Sequence, residues 1–419
     1  MTEPISMLTS REQNVTMPPP AHVLIAGAGL GGLTAALALL QRGVAVTVLE
    51  QARALQELGA GVQIAPNGSR VLQALSLGPA VEAVACVAAA KAVRMWNSGR
   101  TWPLFDLGAD ALARFGAPYW MLHRGDLHQV LLAAVRALAP DAVHLGARVR
   151  SVEDHGDRID LHSADGCSFT GDAVLAADGV HSALREVAFG AGPAAYTGLM
   201  AWRGVVPSAR LPAALQAPVG VNWVGPGGHV ITYPMRRGEL LNFVGIVESG
   251  DWRAESWNDV GSPTECHAHF AGWHDDIHRI IANVDKPYKW ALLSRPALPA
   301  WARGRLCLMG DAAHPTLPFL AQGANMALED GVLLARCLTE LDDVPHALRT
   351  FESMRLQRTG RIVQGAADNA LRFHNPVLAD PVAAVEYVAR EWEPGRVRQR
   401  YDWLFDHDVT RLPLTPHAH

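Results

Sequence analysis

The residues able to do chemistry fall into a few short clusters and one spaced pair. The first cluster, Gly27-Ala28-Gly29-Leu30-Gly31-Gly32, fits GxGxxG through Gly27, Gly29 and Gly32. In such a loop the first glycine permits a tight turn, the second lets a pyrophosphate approach the backbone, and the third lets the helix pack on the strand. Free amides at the helix start then face the anion. Glu50 follows 23 residues after Gly27, where a carboxylate can accept hydrogen bonds from ribose hydroxyls. Glycine-rich loops are common turns, so the pattern counts only because it lies between a strand-like and a helix-like run. It does not distinguish FAD from NAD.

Two further clusters place an acid after an apolar run: Asp178 in Ala177-Asp178-Gly179-Val180-His181-Ser182, and Asp311 in the stretch from Arg303 to Pro315. Asp-Gly and Gly-Asp are also ordinary turn dipeptides. Asp311 is suited to hold a ribityl hydroxyl beside a pyrophosphate. Gly323, Ala324 and Asn325 open a helical pattern, so their N–H groups and the helix dipole can face a negative charge. His229 and Tyr233 are four residues apart, which on a strand puts both side chains on one face. That pair reads either as a base with a hydrogen-bonding partner or as two core residues. Cys266, His267, His269, His274 and His278 have the types of metal ligands but no HExxH-like spacing, and read as a solvated helix face with no metal. His314 reads as structural.

The elements that position these residues alternate. HVLIA (22–26), the helical LTAALALLQRG and AVTVLE (45–50) form a strand–helix–strand unit, which implies a parallel sheet. LHQVLLAAVRAL (127–138) is an amphipathic helix, DAVLAADG (172–179) and RLCLMGD (305–311) are buried strands entering turns, and MALEDGVLLARCLTEL is helical. Residues 196–294 differ, with β-type alternation, many tryptophans and then a helical stretch. The fold class expected is α/β, a Rossmann-like domain interrupted by a β-rich insertion and followed by C-terminal helices.

Composition narrows the function classes. The 419 residues are 49% hydrophobic and 18% charged, which fits a folded globular chain. A formal charge of −5 argues against general nucleic-acid binding. Five scattered cysteines without a CxxC suggest neither a disulfide framework nor a cysteine-rich zinc site. Residues 1–20 are polar and end in three prolines, reading as a disordered leader rather than a secretory signal. The apolar stretch Ala80 to Val93 is short and interrupted by Glu82 and Lys91, so no membrane span is expected. A cytoplasmic enzyme follows as the expectation.

In their order and separations, the three motifs resemble the fingerprints of the flavoprotein aromatic hydroxylases, the single-component FAD monooxygenases. Arg124 in His123-Arg124-Gly125-Asp126-Leu127 matches that family's FAD-contacting arginine, and the resemblance runs from about His22 to about Arg361. Several segments look most like the 3-hydroxybenzoate 6-hydroxylase and salicylate hydroxylase branch: ELGAGVQIAPNGSRVL (57–72), AWRGVVP (201–207), HVITYPMRRGELLNFVGIVES (229–249), GDAAHPTLPFLAQGANMALEDG (310–331) and Tyr401 to Phe405.

The resemblance implies a discontinuous FAD-binding domain (21–195 and 295–375), a β-rich substrate domain (196–294) and a C-terminal helical segment (376–419). It implies FAD as cofactor, NADH or NADPH as transient co-substrate (with NADH favoured), and O2 held as a flavin C4a-hydroperoxide that attacks an electron-rich phenol. Pro318 is expected beside the isoalloxazine ring, and the amides of Gly323, Ala324 and Asn325 at its pyrimidine edge. His229 and Tyr233 match the branch's pocket histidine and tyrosine, the first as base or relay. Hydroxybenzoate 6-hydroxylases carry Gln-Tyr, and salicylate- and hydroxynicotinate-type enzymes often Pro-His, where this chain has Pro318-Phe319. Gln63 stands where the hydroxynicotinate enzymes tend to have His. The substrate expected is a small hydroxybenzoate-like aromatic acid, giving para-hydroxylation of 3-hydroxybenzoate or decarboxylative hydroxylation of salicylate. The competing class is a flavin-dependent dehydrogenase or oxidase without oxygen insertion. A homodimer is compatible with all of this.

Overall fold

A computed structural model of the chain describes residues 20–55, 61–250 and 259–415. The expected leader lies outside the described residues except for Pro20. Among the described residues, the six-stranded sheet runs in the order Ala302–Arg303, Leu306–Leu308, Ala173–Ala176, His22–Ala26, Ala45–Glu50 and Val143–Leu145. Its four inner pairings are parallel. Val23, Leu24, Ile25 and Val174 to Ala176 are wholly buried, because helices cover both faces of such a sheet. The helix Leu30–Leu40 packs against Gly323–Glu340 and Arg124–Leu138 around this core.

The second large sheet has eight strands, in the order Asp259–Val260, Tyr288–Ser294, Ala195–Pro207, Leu240–Glu248, Gly228–Met235, Val219–Gly225, Ala90–Met95 and Thr101–Asp106. Its two faces serve different cores. Trp202, Phe243 and Val230 pack outward against the short helices Pro263–His269 and Asp275–Ala282. Ile231, Tyr233, Ile246 and Met95 face inward, towards Phe319, Tyr119 and the C-terminal helices. The alternation along each strand divides the two sets.

Sheet membership departs from the sequence-based boundaries at one place. Residues 90–106, expected within the nucleotide-binding part, form two edge strands of the large sheet, and Ala90–Met95 pairs in parallel with Val219–Gly225. A parallel partner over a hundred residues away leaves no local signal, since an apolar run fits either sheet.

The 30-residue helix Val344–Phe373 ties the halves together. At 1.5 Å per residue it is about 45 Å long. Ala347 and Phe351 sit in the nucleotide-side core, and Ile362, Ala366 and Phe373 sit in the core under the large sheet. No helix among the described residues is long and apolar enough to cross a membrane.

Candidate active site

The glycine loop behaves as its spacing requires. Gly27 holds φ +104°, and a Cβ there would lie 2.4 Å from the Ala177 carbonyl oxygen. At Gly32 a Cβ would lie 2.0 Å from the Gly27 carbonyl oxygen, so helix and strand are in backbone contact. At Gly29 a Cβ meets no atom within 4 Å, because that side of the loop is open space. Glu50 is already engaged. Its Oε2 accepts from the Ala28 amide at 2.9 Å and its Oε1 from the Ala52 amide at 2.8 Å. The carboxylate thus shapes the loop as well as lining the cavity it shares with Gly27 and Asp178.

The two later motifs meet through Arg185, which follows the Asp178 motif in the sequence and has no role legible from spacing alone. This buried guanidinium donates to the carbonyls of Ala312 (2.8 Å), Ala313 (2.9 Å) and Pro296 (2.6 Å), clamping the Asp311 turn to the Asp178 turn. Asp178 lines the nucleotide side, and its Oδ1 is buried without a hydrogen-bond partner. Burial raises its carboxyl above the usual range. Asp311 and Arg124 share a pocket wall with Gly29, Gly31, Gly323 and Ala324. Burial lifts the Asp311 carboxyl, while the charges of His314 and Arg124 oppose the lift.

A single trough results. Gly27, Glu50 and Asp178 line its first part, Gly29 continues into the second, and Asp311, Gly323 and Ala324 continue into the third. The linked cavities, lined by glycines, acids and Arg124, would accommodate an extended dinucleotide. The first amides of the helix Gly323–Glu340 have no intrahelical acceptor, and Gly323 and Ala324 present theirs to the cavity. Asn325 is placed differently from its neighbours. Its buried side chain accepts from the Ala65 amide (2.9 Å) and donates to the carbonyls of Gln63 (3.1 Å) and Ala321 (2.7 Å), stitching the helix to the strand Gly61–Ile64.

The third part of the trough is a cavity of about 220 Å³ under the large sheet, lined among others by Pro318, Tyr233, Gln63, Arg203, Ile231 and Ile246. The Tyr233 ring lies over Gly61, where a Cβ would come within 2.5 Å of it. Burial raises the Tyr233 phenol, although Arg203 and a hydrogen bond to Gln63 oppose this. It therefore acts as a neutral donor or acceptor, not as a phenolate. Gln63 Oε1 also accepts from Tyr119 Oη at 2.8 Å. Arg203 was missed at the sequence level, although its segment AWRGVVP was noted. Burial pulls its guanidinium down to about 10, still a cation at neutral pH. Its Cζ stacks 3.8 Å from the Trp290 ring centroid, and its Nε is buried without a hydrogen-bond partner. A cation in the middle of a buried strand was the available signal.

His229 shares the inward face with Ile231 and Tyr233, as the four-residue spacing predicts, but it does not line this cavity. It is fully buried one step beyond Ile231, against the edges of Phe319 (4.9 Å) and Phe373 (5.0 Å). His314 donates its Nε2 proton to, or shares it with, Asp330 Oδ2 at 2.6 Å and is part of the framework. Of the cysteine and histidine cluster, His267 stacks on His278, His269 accepts from Trp202 Nε1, and His274 accepts from the Asp276 amide. Among the described residues, no three His, Cys, Asp or Glu side chains are grouped to hold a metal ion.

These features coincide with what comparison finds. Residues 20–366 match the FAD binding domain family. The 3-amino-4-hydroxybenzoate 2-monooxygenase PtnB3 of Streptomyces platensis is 39% identical over 85% of this chain and 89% of its own length. The 3-hydroxybenzoate 6-hydroxylase of Polaromonas naphthalenivorans (strain CJ2) is 34% identical over 94% of this chain and 97% of its own. Among solved structures, Klebsiella pneumoniae HpxO complexed with FAD and uric acid superposes with a TM-score of 0.79 at 27% identity, covering 93% of this chain and 98% of that one. The chain belongs to the FAD binding domain family, within the flavoprotein aromatic hydroxylases. It is an FAD-dependent monooxygenase.

Proposed function

We propose that the chain hydroxylates a hydroxybenzoate-like aromatic acid with NAD(P)H, preferentially NADH, and O2. The observation that carries the reading is the composition of the cavity beside the flavin trough. One unneutralised guanidinium (Arg203), one neutral phenol (Tyr233) and one amide (Gln63) converge on a space otherwise walled by Ile231, Val244 and Ile246. That set complements a carboxylate and a hydroxyl on one apolar ring. Drug-sized ligands occupy about 300–1,000 Å³, so this smaller space suits a single ring.

Bound FAD supplies hydride acceptance and oxygen activation. The chain's own residues divide the remaining work. The Gly323 and Ala324 amides stabilise negative charge at the edge of the ring system that faces them, assisted by the helix dipole. Arg203 pairs with the substrate carboxylate and fixes which ring carbon faces the flavin. Tyr233 hydrogen-bonds the substrate hydroxyl or carboxylate. His229 is base or relay for the phenolic proton, because an ionised phenol is the more electron-rich substrate. Pro318 shapes the wall against the isoalloxazine. The FAD-binding part is then 21–195 with 295–375, less the strands 90–106 that join the substrate sheet over 196–294.

The test is a panel of 3-hydroxybenzoate, salicylate, 3-amino-4-hydroxybenzoate and pyridine carboxylates, scored for NADH consumption together with product mass. A hydroxylated product from at least one phenolic acid is expected, with para-hydroxylation or loss of CO2 settling the regiochemistry. Hydrogen peroxide as the sole product from every phenolic acid would sink the reading in favour of a flavin dehydrogenase or oxidase. His229→Asn should slow hydroxylation far more than it weakens FAD binding.

A further inference from the structure

Behind the inward wall of the cavity, three titratable side chains form a string that reaches the surface. Glu248, at the end of the strand Leu240–Glu248, has a side chain 62% exposed, and its Oε1 is 3.4 Å from His374 Nδ1. His374 caps the C-terminus of the long helix Val344–Phe373 and is buried. Its Nε2 is 2.6 Å from His229 Nδ1. The remaining nitrogen, His229 Nε2, is buried and has no hydrogen-bond partner. The backbone holds the string in place. The Gly227 amide donates to the His374 carbonyl (3.1 Å), and the Glu248 amide donates to the Gly227 carbonyl (3.1 Å).

The contact of His374 with Glu248 selects an order of donors along this string. A carboxylate only accepts, so His374 carries its proton on Nδ1 and leaves Nε2 bare. His229 must then donate from Nδ1, which leaves the lone pair on its Nε2. Burial, and for His229 also the neighbouring His374, hold both imidazoles below the usual histidine range, so both are neutral at pH 7. The rings around His229, Phe319 and Phe373, are apolar, and among the described residues Glu248 is the charged group that acts on His374. Arg372, nearby on the same helix, is committed to Asn369 and Glu391. Ile246, the cross-strand partner of His229, and Ile231, two residues along, both line the cavity. Two strand residues span about 7 Å along the backbone, a separation that more than one water is needed to bridge.

We infer that Glu248 and His374 are positioning residues that lock His229 as an Nε2 lone-pair base and carry the substrate's phenolic proton out to solvent. The inference rests on the hydroxybenzoate reading. The balance is simple. The phenolic O–H bond breaks and an N–H bond forms at His229 Nε2, through water between the cavity and the imidazole. The His229 Nδ1 proton passes to His374 Nε2, and the His374 Nδ1 proton passes to the Glu248 carboxylate, which releases it to bulk water. No electrons change hands, and the products are the bound phenolate and one solvent proton.

Two measurements on the FAD-loaded enzyme separate the relay from the substrate reading. The first needs no aromatic acid: ¹⁵N spectra of histidine-labelled holoenzyme, with His229→Asn assigning the His229 signals. A protonated Nδ1 and a bare Nε2 on His229 between pH 6 and 8 are expected. A protonated Nε2 overturns the relay, whatever the substrate is. The second measures product formation with 3-hydroxybenzoate and 3-amino-4-hydroxybenzoate against pH. His374→Gln should lower kcat/KM on the order of 10²-fold, the size of a general-base contribution, with FAD content and absorbance unchanged. Glu248→Gln, a conservative surface change that keeps the fold, should lower kcat about tenfold with little change in KM, and should move the acidic limb of the pH profile. Wild-type turnover and profile in Glu248→Gln and in folded His374→Gln overturn the relay. The expected tautomer with no product from either acid leaves the relay in place and counts against those two substrates.

Discussion

The trough for FAD and the ceiling over the substrate are built by opposite means. The trough is made of backbone: glycines where a Cβ cannot fit, helix-start amides, and acids that fix loops. Behind it lies a buried ionic network in which each carboxylate has several donors. Asp330 accepts from the Gly310 amide (2.8 Å), His314 (2.6 Å) and Arg355 Nε (2.7 Å), while Glu329 accepts from Arg355 (2.6 Å), Arg358 (2.7 Å) and Asn67 (2.7 Å). Burial pushes Glu329 upward, but Arg358 and Arg355 outweigh it and leave it well below the usual carboxylate range. The ceiling is made of side chains, and it leaves Arg203 Nε and His229 Nε2 without protein partners. The contrast teaches what each part waits for. The cofactor's groups are invariant and can be met by fixed backbone, whereas a substrate is met by side chains that sequence change can retune.

The largest expected effect tests whether the network really underlies the trough. Arg355→Met removes the cation shared by two buried carboxylates and should destabilise the fold by about 3–5 kcal/mol, with loss of bound flavin. Urea unfolding with flavin content read alongside checks this. A loss under about 1 kcal/mol, within the range of an exposed pair, would mean the network is not what holds the Asp311 turn.

Next in size is a contrast inside the glycine loop. Gly32→Ala should prevent stable folding or flavin loading, since its Cβ would overlap the Gly27 carbonyl. Gly29→Ala should leave the melting temperature of the flavin-free protein unchanged, because nothing lies within 4 Å, yet weaken FAD binding by occupying the pyrophosphate space. Equal damage to stability from both would refute the open-side assignment of Gly29.

This contrast also explains what was legible in the sequence. Gly27, Gly29, Gly32, Asp178 and Asp311 could be read because their requirements are local: a turn, a close approach, a helix start. Tyr233 could be placed on the correct face because strand period is a local property. Arg203, Arg185, His374 and Glu329 could not, since their meaning comes from partners such as Trp290, Ala312, His229 and Arg355, which no spacing rule connects. The pairing of Ala90–Met95 with Val219–Gly225 had no local signal for the same reason, the two strands lying far apart along the chain.

Acid should separate the buried histidines from the buried carboxylates. The folded values of His229, His374 and His407 are depressed by burial, His407 to about 4. An unfolded histidine titrates near 6.5, so below that pH the unfolded chain binds protons the folded one refuses. The stability tied to these histidines is present above about 6.5 and is lost as pH falls toward 4. Glu329 and Asp330, also depressed, contribute above the unfolded carboxylate values near 4 and are lost only below them. Melting temperature against pH should therefore fall in two stages. A single fall confined below pH 4 would refute the histidine stage.

Arg203→Met should raise KM for a hydroxybenzoate by about 10–100-fold, the worth of a charged hydrogen bond, with FAD affinity unchanged. An unchanged KM would place the carboxylate elsewhere.

The smallest effect concerns a residue between the two regions. Tyr119 lines neither the trough nor the substrate cavity, but its hydroxyl donates to Gln63, and Gln63 hydrogen-bonds Tyr233. Removing that donor with Tyr119→Phe leaves Gln63 free to rotate, so Tyr233 loses a fixed partner while ring packing against Phe405 is kept. A net hydrogen bond of about 0.5–1.5 kcal/mol translates into a loss of roughly 2–10-fold in kcat/KM, with FAD binding and thermal stability barely moved. If FAD affinity falls instead, Gln63 belongs to the trough, since its carbonyl is also the acceptor for Asn325. The two outcomes decide on which side of the boundary the strand Gly61–Ile64 acts.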